Sequence, residues 1–215
     1  MLELLIKVLA SYLVGSLNGS LVVGRLCGGV DIRNEGSGNA GSANALRTRG
    51  KVFAFWVLLI DTVKGWLAAH VIADLHLPNL ASDAMLAPWV AVSCAFAAIV
   101  GHIYPVWFGF RGGKGVATLM GAVFGLQASA LVPVLLTWLA ALALTGFVAL
   151  ASILASCALC LVLLLTGGQA ALPLETFGVL CVLLILFTHR SNLARLRAGT
   201  EPRARRLLHV RRASR

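Results

Sequence analysis

The stretch Ala151-Ser-Ile-Leu-Ala-Ser-Cys-Ala-Leu-Cys-Leu-Val-Leu-Leu-Leu165 carries no charged residue. A helix rises 1.5 Å per residue, so with its apolar neighbours this run suits a hydrocarbon core about 30 Å thick. The same character recurs in both directions. Leu4–Gly24, Val52–Ala73, Ala87–Gly101 and Thr176–Thr188 are further apolar runs. Between Val116 and Leu150 an apolar stretch interrupted by Gln127 and Pro133 is long enough for two short helices joined near those residues.

The whole chain agrees with these runs. Of its 215 residues, 59% are hydrophobic and 12% charged, with a mean hydropathy of +0.90. A soluble domain carries roughly 25% charged residues as its hydrated shell. This composition excludes intrinsic disorder and argues against a soluble globular enzyme. The expected fold is all-α: a polytopic integral membrane helical bundle of about seven transmembrane helices. The opening Met1-Leu-Glu-Leu-Leu-Ile-Lys7 lacks the basic n-region of a signal peptide. No A-x-A cleavage site follows it, so the first run is expected to stay as a span.

The charges orient the bundle. Segments 25–51, 102–115, 145–152 and 189–215 fall on one side of the predicted spans, and segments 74–86, 126–133 and 166–175 on the other. The first side holds Arg25, Arg33, Arg47, Arg49, Lys51, Arg111, Lys114 and a basic tail; the second holds Asp74, Asp83 and Glu175 and neither Lys nor Arg. The excess of Lys and Arg marks the cytoplasmic side. The N-terminus is then outside and the C-terminus inside, with the polar loops facing the cytoplasm.

Net charge is +10, from 18 Lys and Arg against 8 Asp and Glu. Nine of the basic residues lie in 190–215. They read as an orientation signal and a patch for anionic headgroups, worth about 1 kcal/mol per charge near the surface. Nucleic acid is not an expected partner, because no aromatic platform or recognisable module accompanies them. The chain divides into one transmembrane domain, 1–201, and a basic cytoplasmic tail, 202–215. Cys27, Cys94, Cys157, Cys160 and Cys181 form an odd set, four of them inside apolar runs, and read as small packing residues. No metal-ligand spacing is present, and neither a metal nor a cofactor is expected.

Three polar segments are richer than loops need to be, and all are on the cytoplasmic side. The first is Asn34-Glu-Gly-Ser-Gly-Asn-Ala-Gly-Ser-Ala-Asn-Ala-Leu-Arg47. Its glycines let successive N–H groups curl around an anion. Ser37, Asn39, Ser42 and Asn44 add donors or cap a short helix, and Arg47 suits a phosphate. The second is Gly101-His-Ile-Tyr-Pro-Val-Trp-Phe-Gly-Phe-Arg-Gly-Gly-Lys-Gly-Val-Ala-Thr118. Here Lys114, the amides of Gly112, Gly113 and Gly115, and a helix N-terminus can converge on a phosphoryl group. It is not a Walker A loop, since Phe108 and Gly115 stand where that pattern needs Gly and Ser or Thr. The third is His189-Arg-Ser-Asn-Leu-Ala-Arg195, in which His189 and Asn192 share a helix face. Within the second span, Asp61 and Lys64 at i, i+3 read as an ion pair supporting the site. No acidic cluster for metal-bridged phosphoryl chemistry is present, and no His is followed by four residues and an Asp.

Together the three segments resemble the bacterial membrane-integral acyl-phosphate:glycerol-3-phosphate acyltransferases. The family's marks, GSGN-x-G-x-x-N-x-x-R, GH-x-x-P…F-[KR]-GGKG-V-A-T and H-R-x-N-x-x-R-L-x-x-G-x-E, stand here as Gly36–Arg47, Gly101–Thr118 and His189–Glu201. A D-x-x-K-G also matches at Asp61–Gly65. The resemblance covers the chain from the first span to Glu201. It implies a seven-span helical enzyme moving a fatty acyl group from acyl phosphate to the 1-hydroxyl of glycerol 3-phosphate. Lysophosphatidic acid and phosphate are the implied products, in the first acylation of bacterial phospholipid synthesis, with no metal and no acyl-CoA.

Carried over by position, Ser37, His189, Asn192 and Ser152 are the implied catalytic residues. Arg47, Lys114, Asn39, Asn44, Gly112, Gly113 and Gly115 are the implied binders of substrate phosphate. Acyl phosphate, glycerol 3-phosphate and membrane lipids are the implied partners, along with an enzyme that makes acyl phosphate. Two departures stand out. The usual G-A-T-N reads Gly41-Ser-Ala-Asn44, moving the hydroxyl by one position, and the usual H-R-E-N has Ser191 in place of the acid. A transporter of a small organic phosphate would also use cations and glycines at a cytoplasmic mouth. Against it, the charges cluster on one face, with no internal repeat or paired broken helices.

Overall fold

The structure is a computed structural model that describes residues 1–77, 84–166, 168 and 171–204. Asp83 and the tail beyond Ala204 lie outside the described residues. Within them the regular structure is helical. In lipid a segment has to satisfy its own backbone groups, and a helix does so internally. In chain order the helices are α1 (Leu2–Gly15), α2 (Gly19–Leu26), α3 (Ser42–Thr48), α4 (Lys51–Trp66), α5 (Ala87–Ile103), α6 (Val116–Gln127), α7 (Leu131–Thr145), α8 (Val148–Thr166), α9 (Ala171–Thr188) and α10 (Arg190–Arg197). A π-helical segment, Leu67–Ile72, prolongs α4.

Among the described residues five stretches are long and apolar enough to cross a membrane: Lys51–Ile72, Ala87–Phe108, Val116–Thr145, Val148–Thr166 and Ala171–Thr188. The first apolar run is not the single helix expected of Leu4–Gly24. It breaks into α1 and α2, bent by 49°, and the two together make a sixth candidate span. Asn18 is the cause. Its Oδ1 accepts from the backbone N–H (3.2 Å) and hydroxyl (2.9 Å) of Ser20, capping α2 and restarting the chain in a new direction.

The expected break in 116–150 is present. At Gln127 the backbone leaves helical geometry (φ −156°, ψ 82°), and a short 3₁₀ turn, Ala128–Ala130, leads into α7. Pro133 falls in the first turn of α7, where its missing N–H costs no helical bond. Two contacts tie the ends together. Gln127 Nε2 donates to Thr166 Oγ1 at the end of α8 (2.7 Å), and the Ala204 N–H donates to the Gly146 carbonyl between α7 and α8 (2.8 Å). The loop expected over 145–152 shrinks to Gly146-Phe147, and α9 begins at Ala171 rather than Thr176. Folded contacts continue past Glu201: the Arg203 guanidinium lies over the Phe147 ring, and Ala204 is buried against Ala141, Leu142 and Ala151.

Small residues let the helices meet. A Cβ on Gly15 would strike the Ala98 backbone, and one on Gly101 would strike the Tyr12 carbonyl, so α1 and α5 touch backbone to backbone. Gly65 meets the Thr118 carbonyl and Gly121 the Thr62 carbonyl, joining α4 to α6 in the same way. Such close contact drives helix association where lipid removes the hydrophobic incentive. The polarity is inside out. Leu144 and Leu165 are 85% and 75% exposed, whereas Asp61, Lys64, His102 and Thr118 are almost wholly buried. Phe177, Ile99, Leu159, Leu163 and Ile185 fill the centre.

A branched side chain at Gly65 or Gly121 must push α4 and α6 apart, an overpacking cost of roughly 1–3 kcal/mol or more. Gly121→Val should lower the melting midpoint of the purified protein in detergent, while Leu165→Val should leave it unchanged.

Candidate functional site

The first polar segment is shaped from within. Asp31 caps a short 3₁₀ turn, Ile32–Asn34, and pairs with Arg33 (2.7 Å), whose guanidinium holds the carboxyl below its ordinary pKa. The same guanidinium donates to the carbonyls of Phe108 and Arg111 (both 2.9 Å). Arg33 therefore fastens the first segment to the second. Asn44 is 1% exposed. Oδ1 accepts from the Ser37 N–H (2.9 Å), and Nδ2 donates to the carbonyls of Ile32 and Glu35 (both 3.0 Å). Asn44 thus shapes its own loop, with both amide hydrogens taken and one lone pair of Oδ1 left over. The cap of α3 is Gly41, without a side-chain bond. Ser37 and Arg47 are exposed and Asn39 is half-buried.

The second segment also departs from expectation. The N–H groups of Gly112 and Gly113 donate to the carbonyls of Ile103 (3.0 Å) and His102 (3.1 Å). These amides satisfy the open carbonyls at the end of α5 and form no phosphate cradle. The glycines are needed for space. A Cβ on Gly112 would hit the His102 carbonyl, and one on Gly113 would hit His102 Nε2. Gly115, at φ +86°, is the N-cap of α6 and brings no side-chain partner. The first intrahelical bond of α6 runs from Leu119 N–H to the Gly115 carbonyl. The N–H groups of Val116, Ala117 and Thr118 precede that bond, so they and the positive end of the helix dipole are the anion-directed feature of this loop.

Lys114 joins the second segment to the third. Its ammonium donates to Asn192 Oδ1, and its carbonyl accepts from Thr188 Oγ1 (3.3 Å). Asn192 Nδ2 donates to Glu201 Oε1 (2.6 Å), and Arg195 Nε donates to Glu201 Oε2 (2.8 Å). Burial, together with the positive charges of Arg195 and Arg47, lowers the Lys114 pKa to about 8, against the pull of Glu201. Three cations thus act on one place, with Glu201 bonded to Arg195 and, through Asn192, to Lys114.

His189 follows α9 and is 3% exposed. Its Nδ1 lies 2.9 Å from the Ile185 carbonyl, which can only accept, so Nδ1 carries the proton and Nε2 presents a lone pair. Burial and the nearby Lys114 lower its pKa to about 4, so the ring is neutral at pH 7. His189 and Asn192 flank the same end of α10, as their spacing suggested.

Ser152 stands apart from these groups. It is buried in α8, its hydroxyl donating to the Val148 carbonyl (2.9 Å) and accepting from Trp138 Nε1 (3.3 Å). With Val116, Met120, Trp138 and Ile185 it lines a small apolar cavity between α6, α7, α8 and α9. Val116 lies two residues from Lys114, and Ile185 one helical turn from His189. A roomier apolar groove of about 560 Å³, between α1, α5 and α9, is lined by none of the polar residues named here. Among the described residues, no three His, Cys, Asp or Glu side chains gather to hold a metal ion.

Two polar loops and a helix end, far apart in sequence, thus meet around Lys114. The family model for glycerol-3-phosphate acyltransferase matches residues 5–199. The chain belongs to the glycerol-3-phosphate acyltransferase family. A member from Synechococcus sp. (strain CC9902) is 39% identical over 94% of this chain and 96% of its own. One from Gloeobacter violaceus is 40% identical over 90% and 91%. The crystal structure of PlsY (YgiH), an integral membrane glycerol 3-phosphate acyltransferase, in its glycerol 3-phosphate form superposes with a TM-score of 0.80 at 34% identity, covering 96% of this chain and 99% of that one. Its lysophosphatidic acid form gives 0.78 at 34% identity. This acyltransferase is accordingly a multi-pass, all-helical integral membrane protein.

Sequence reasoning passed over Glu201, Arg195 and His102 as members of the site. Glu201 had a signal: it is the one acid among the nine basic residues of 190–215.

A lysine meets a phosphate as the ammonium, and Lys114 loses its proton as pH rises through about 8. Affinity for glycerol 3-phosphate should therefore fall above that pH. In Lys114→Arg, whose guanidinium keeps its proton to pH 12 and beyond, the alkaline fall should disappear. Binding measured against pH in both proteins checks this.

Proposed function

We propose that this glycerol-3-phosphate acyltransferase takes its acyl group from acyl phosphate and delivers it to the 1-hydroxyl, releasing lysophosphatidic acid and phosphate. The observation that carries the reading is Lys114, set under the charges of Arg47 and Arg195 just before the N-terminus of α6. Both substrates are phosphates and one has a long apolar chain. The site offers cations for the headgroups, and the lipid-facing apolar helices beside it suit the acyl chain.

In the reaction the glycerol hydroxyl oxygen attacks the acyl carbonyl. The new ester bond forms, the acyl–phosphate bond breaks, and phosphate leaves. Lys114 and Arg47 neutralise charge that grows on the leaving phosphate, the largest kind of contribution open to such a site. Ser37 and Asn39 line the polar mouth, and Asn192, fixed by Glu201, helps to hold the headgroup. The bare Nε2 of His189 accepts a hydrogen bond from the hydroxyl and aims it. With a pKa of about 4, His189 is a weak base. A phosphate monoester, with a second pKa near about 6, is stronger. The hydroxyl proton therefore passes through His189 Nε2, to which it is hydrogen-bonded, and comes to rest on phosphate oxygen, and the acyl transfer is direct, without an acyl-enzyme.

The topology in this reading is seven spans, N-terminus outside and C-terminus cytoplasmic, in the bacterial inner membrane. Three contacts support it. Lys114 with Asn192 and Gly146 with Ala204 set residues 114, 146 and 204 at one end, and Gln127 with Thr166 pairs two turns at the other. The chain between 115 and 146 then goes out and returns, counting α6 and α7 as separate short spans. The end rich in Lys and Arg is the cytoplasmic one. A soluble enzyme that makes acyl phosphate is the metabolic partner on that face. Residues 1–201 form the transmembrane domain, and the tail from 202 extends it.

Purified protein mixed with acyl phosphate and glycerol 3-phosphate should yield lysophosphatidate. Flux of glycerol 3-phosphate across vesicles without product would favour a transporter instead. Lys114→Ala should abolish transfer in folded protein, and near-normal turnover would refute its role. His189→Ala should lower kcat on the order of 10²-fold; a change in KM alone would make it a binding residue only.

A further inference from the structure

Asp61, Lys64 and His102 form a buried cluster that the reaction above does not use. Their exposures are 0%, 3% and 2%. Lys64 Nζ lies 2.8 Å from Asp61 Oδ1 and 3.0 Å from His102 Nδ1, and His102 Nδ1 lies 3.2 Å from Asp61 Oδ1. The pair also grips the turn between α1 and α2: the Gly19 N–H donates to Asp61 Oδ1 (2.9 Å), and Lys64 donates to the Leu17 carbonyl (3.1 Å). Charges so deep are costly, and a pair alone would satisfy itself with less machinery. The third member points elsewhere.

The far edge of the His102 ring explains the arrangement. Nε2 occupies the place that a Cβ on Gly113 would take, and the His102 carbonyl accepts from the Gly113 N–H (3.1 Å). The same Cβ would lie 3.1 Å from the carbonyl of fully buried Ala40, in the first polar segment. Gly113 thus packs where His102 and the first segment meet, and the next residue is Lys114. We infer that His102, held by Asp61 and Lys64, is a positioning residue that sets the height of the Gly112–Gly115 loop and so aims the Lys114 ammonium at the substrate phosphate. The inference rests on the proposed role of Lys114 and assigns His102 no contact with substrate.

The test separates the two edges of the ring. Asparagine reaches the Nδ1 position, keeping a partner for Asp61 and Lys64, but leaves the Nε2 position empty. His102→Asn should melt near the wild type in detergent. Its KM for glycerol 3-phosphate should rise on the order of 10-fold, with kcat changed less, because a small displacement of a binding group is expensive. Gly113→Ala should weaken glycerol 3-phosphate binding at least as much, since the methyl collides with the ring. The double variant His102→Asn/Gly113→Ala should bind better than Gly113→Ala alone, the methyl now having room.

Binding is read independently of turnover, as the rise in melting midpoint caused by glycerol 3-phosphate. Wild-type protein that binds glycerol 3-phosphate yet makes no lysophosphatidate would defeat the proposed reaction and leave this measurement intact. Wild-type affinity in His102→Asn, or a double variant no better than Gly113→Ala, would overturn the positioning role. If His102→Asn does not fold, unchanged affinity in Gly113→Ala overturns it by itself.

Discussion

A lysine half-withdrawn from water beside two arginines is electrostatically unfavourable unless something opposes the repulsion. Here the opposition comes from the far end of the chain. Asn192 takes the Lys114 ammonium, and Glu201 takes the amide of Asn192 and the guanidinium of Arg195. That relay makes the site a single object, because it fastens the loop before α6 to the helix after α9. It also leaves the local charge positive in the absence of substrate, which is the condition for binding a phosphate dianion.

The membrane supplies the other constraint. Leucines turn outward, so polar groups are confined to the interior and to the ends of the bundle. The glycine contacts between α1 and α5 and between α4 and α6 bring the helices close enough for Asp61, Lys64 and His102 to find one another. The same closeness places His102 beneath Gly113. Packing in the hydrocarbon region is thereby connected, through one imidazole, to the loop that carries Lys114.

Much of this was legible in the sequence, and the failures have physical causes. The apolar runs located the helices, and the break near Gln127 and Pro133 was visible because a polar side chain and a missing N–H both mark it. The bend between α1 and α2 was hidden, since Ser16-Leu-Asn-Gly19 sits inside an apolar run and only the capping bond of Asn18 shows that the helix restarts. Glycine spacing announced an anion loop but not which amides remain open. Gly112 and Gly113 spend theirs on the last carbonyls of α5, a fact fixed by how the chain turns at Tyr104 and Pro105. Asn44 looks like a ligand in sequence, and in the structure it also frames its own loop. Asp61 and Lys64 were readable as an intramembrane pair. Their union with His102 depends on helix packing, which no local pattern encodes.

The central claim is that the three polar segments make one phosphate site around Lys114. A crystal structure of this protein with glycerol 3-phosphate bound tests it most directly. The account predicts the phosphate within hydrogen-bond reach of Lys114 and Arg47 at the N-terminus of α6, with the 1-hydroxyl directed toward His189 Nε2. A phosphate bound away from Lys114, or a 1-hydroxyl turned away from His189, would contradict it.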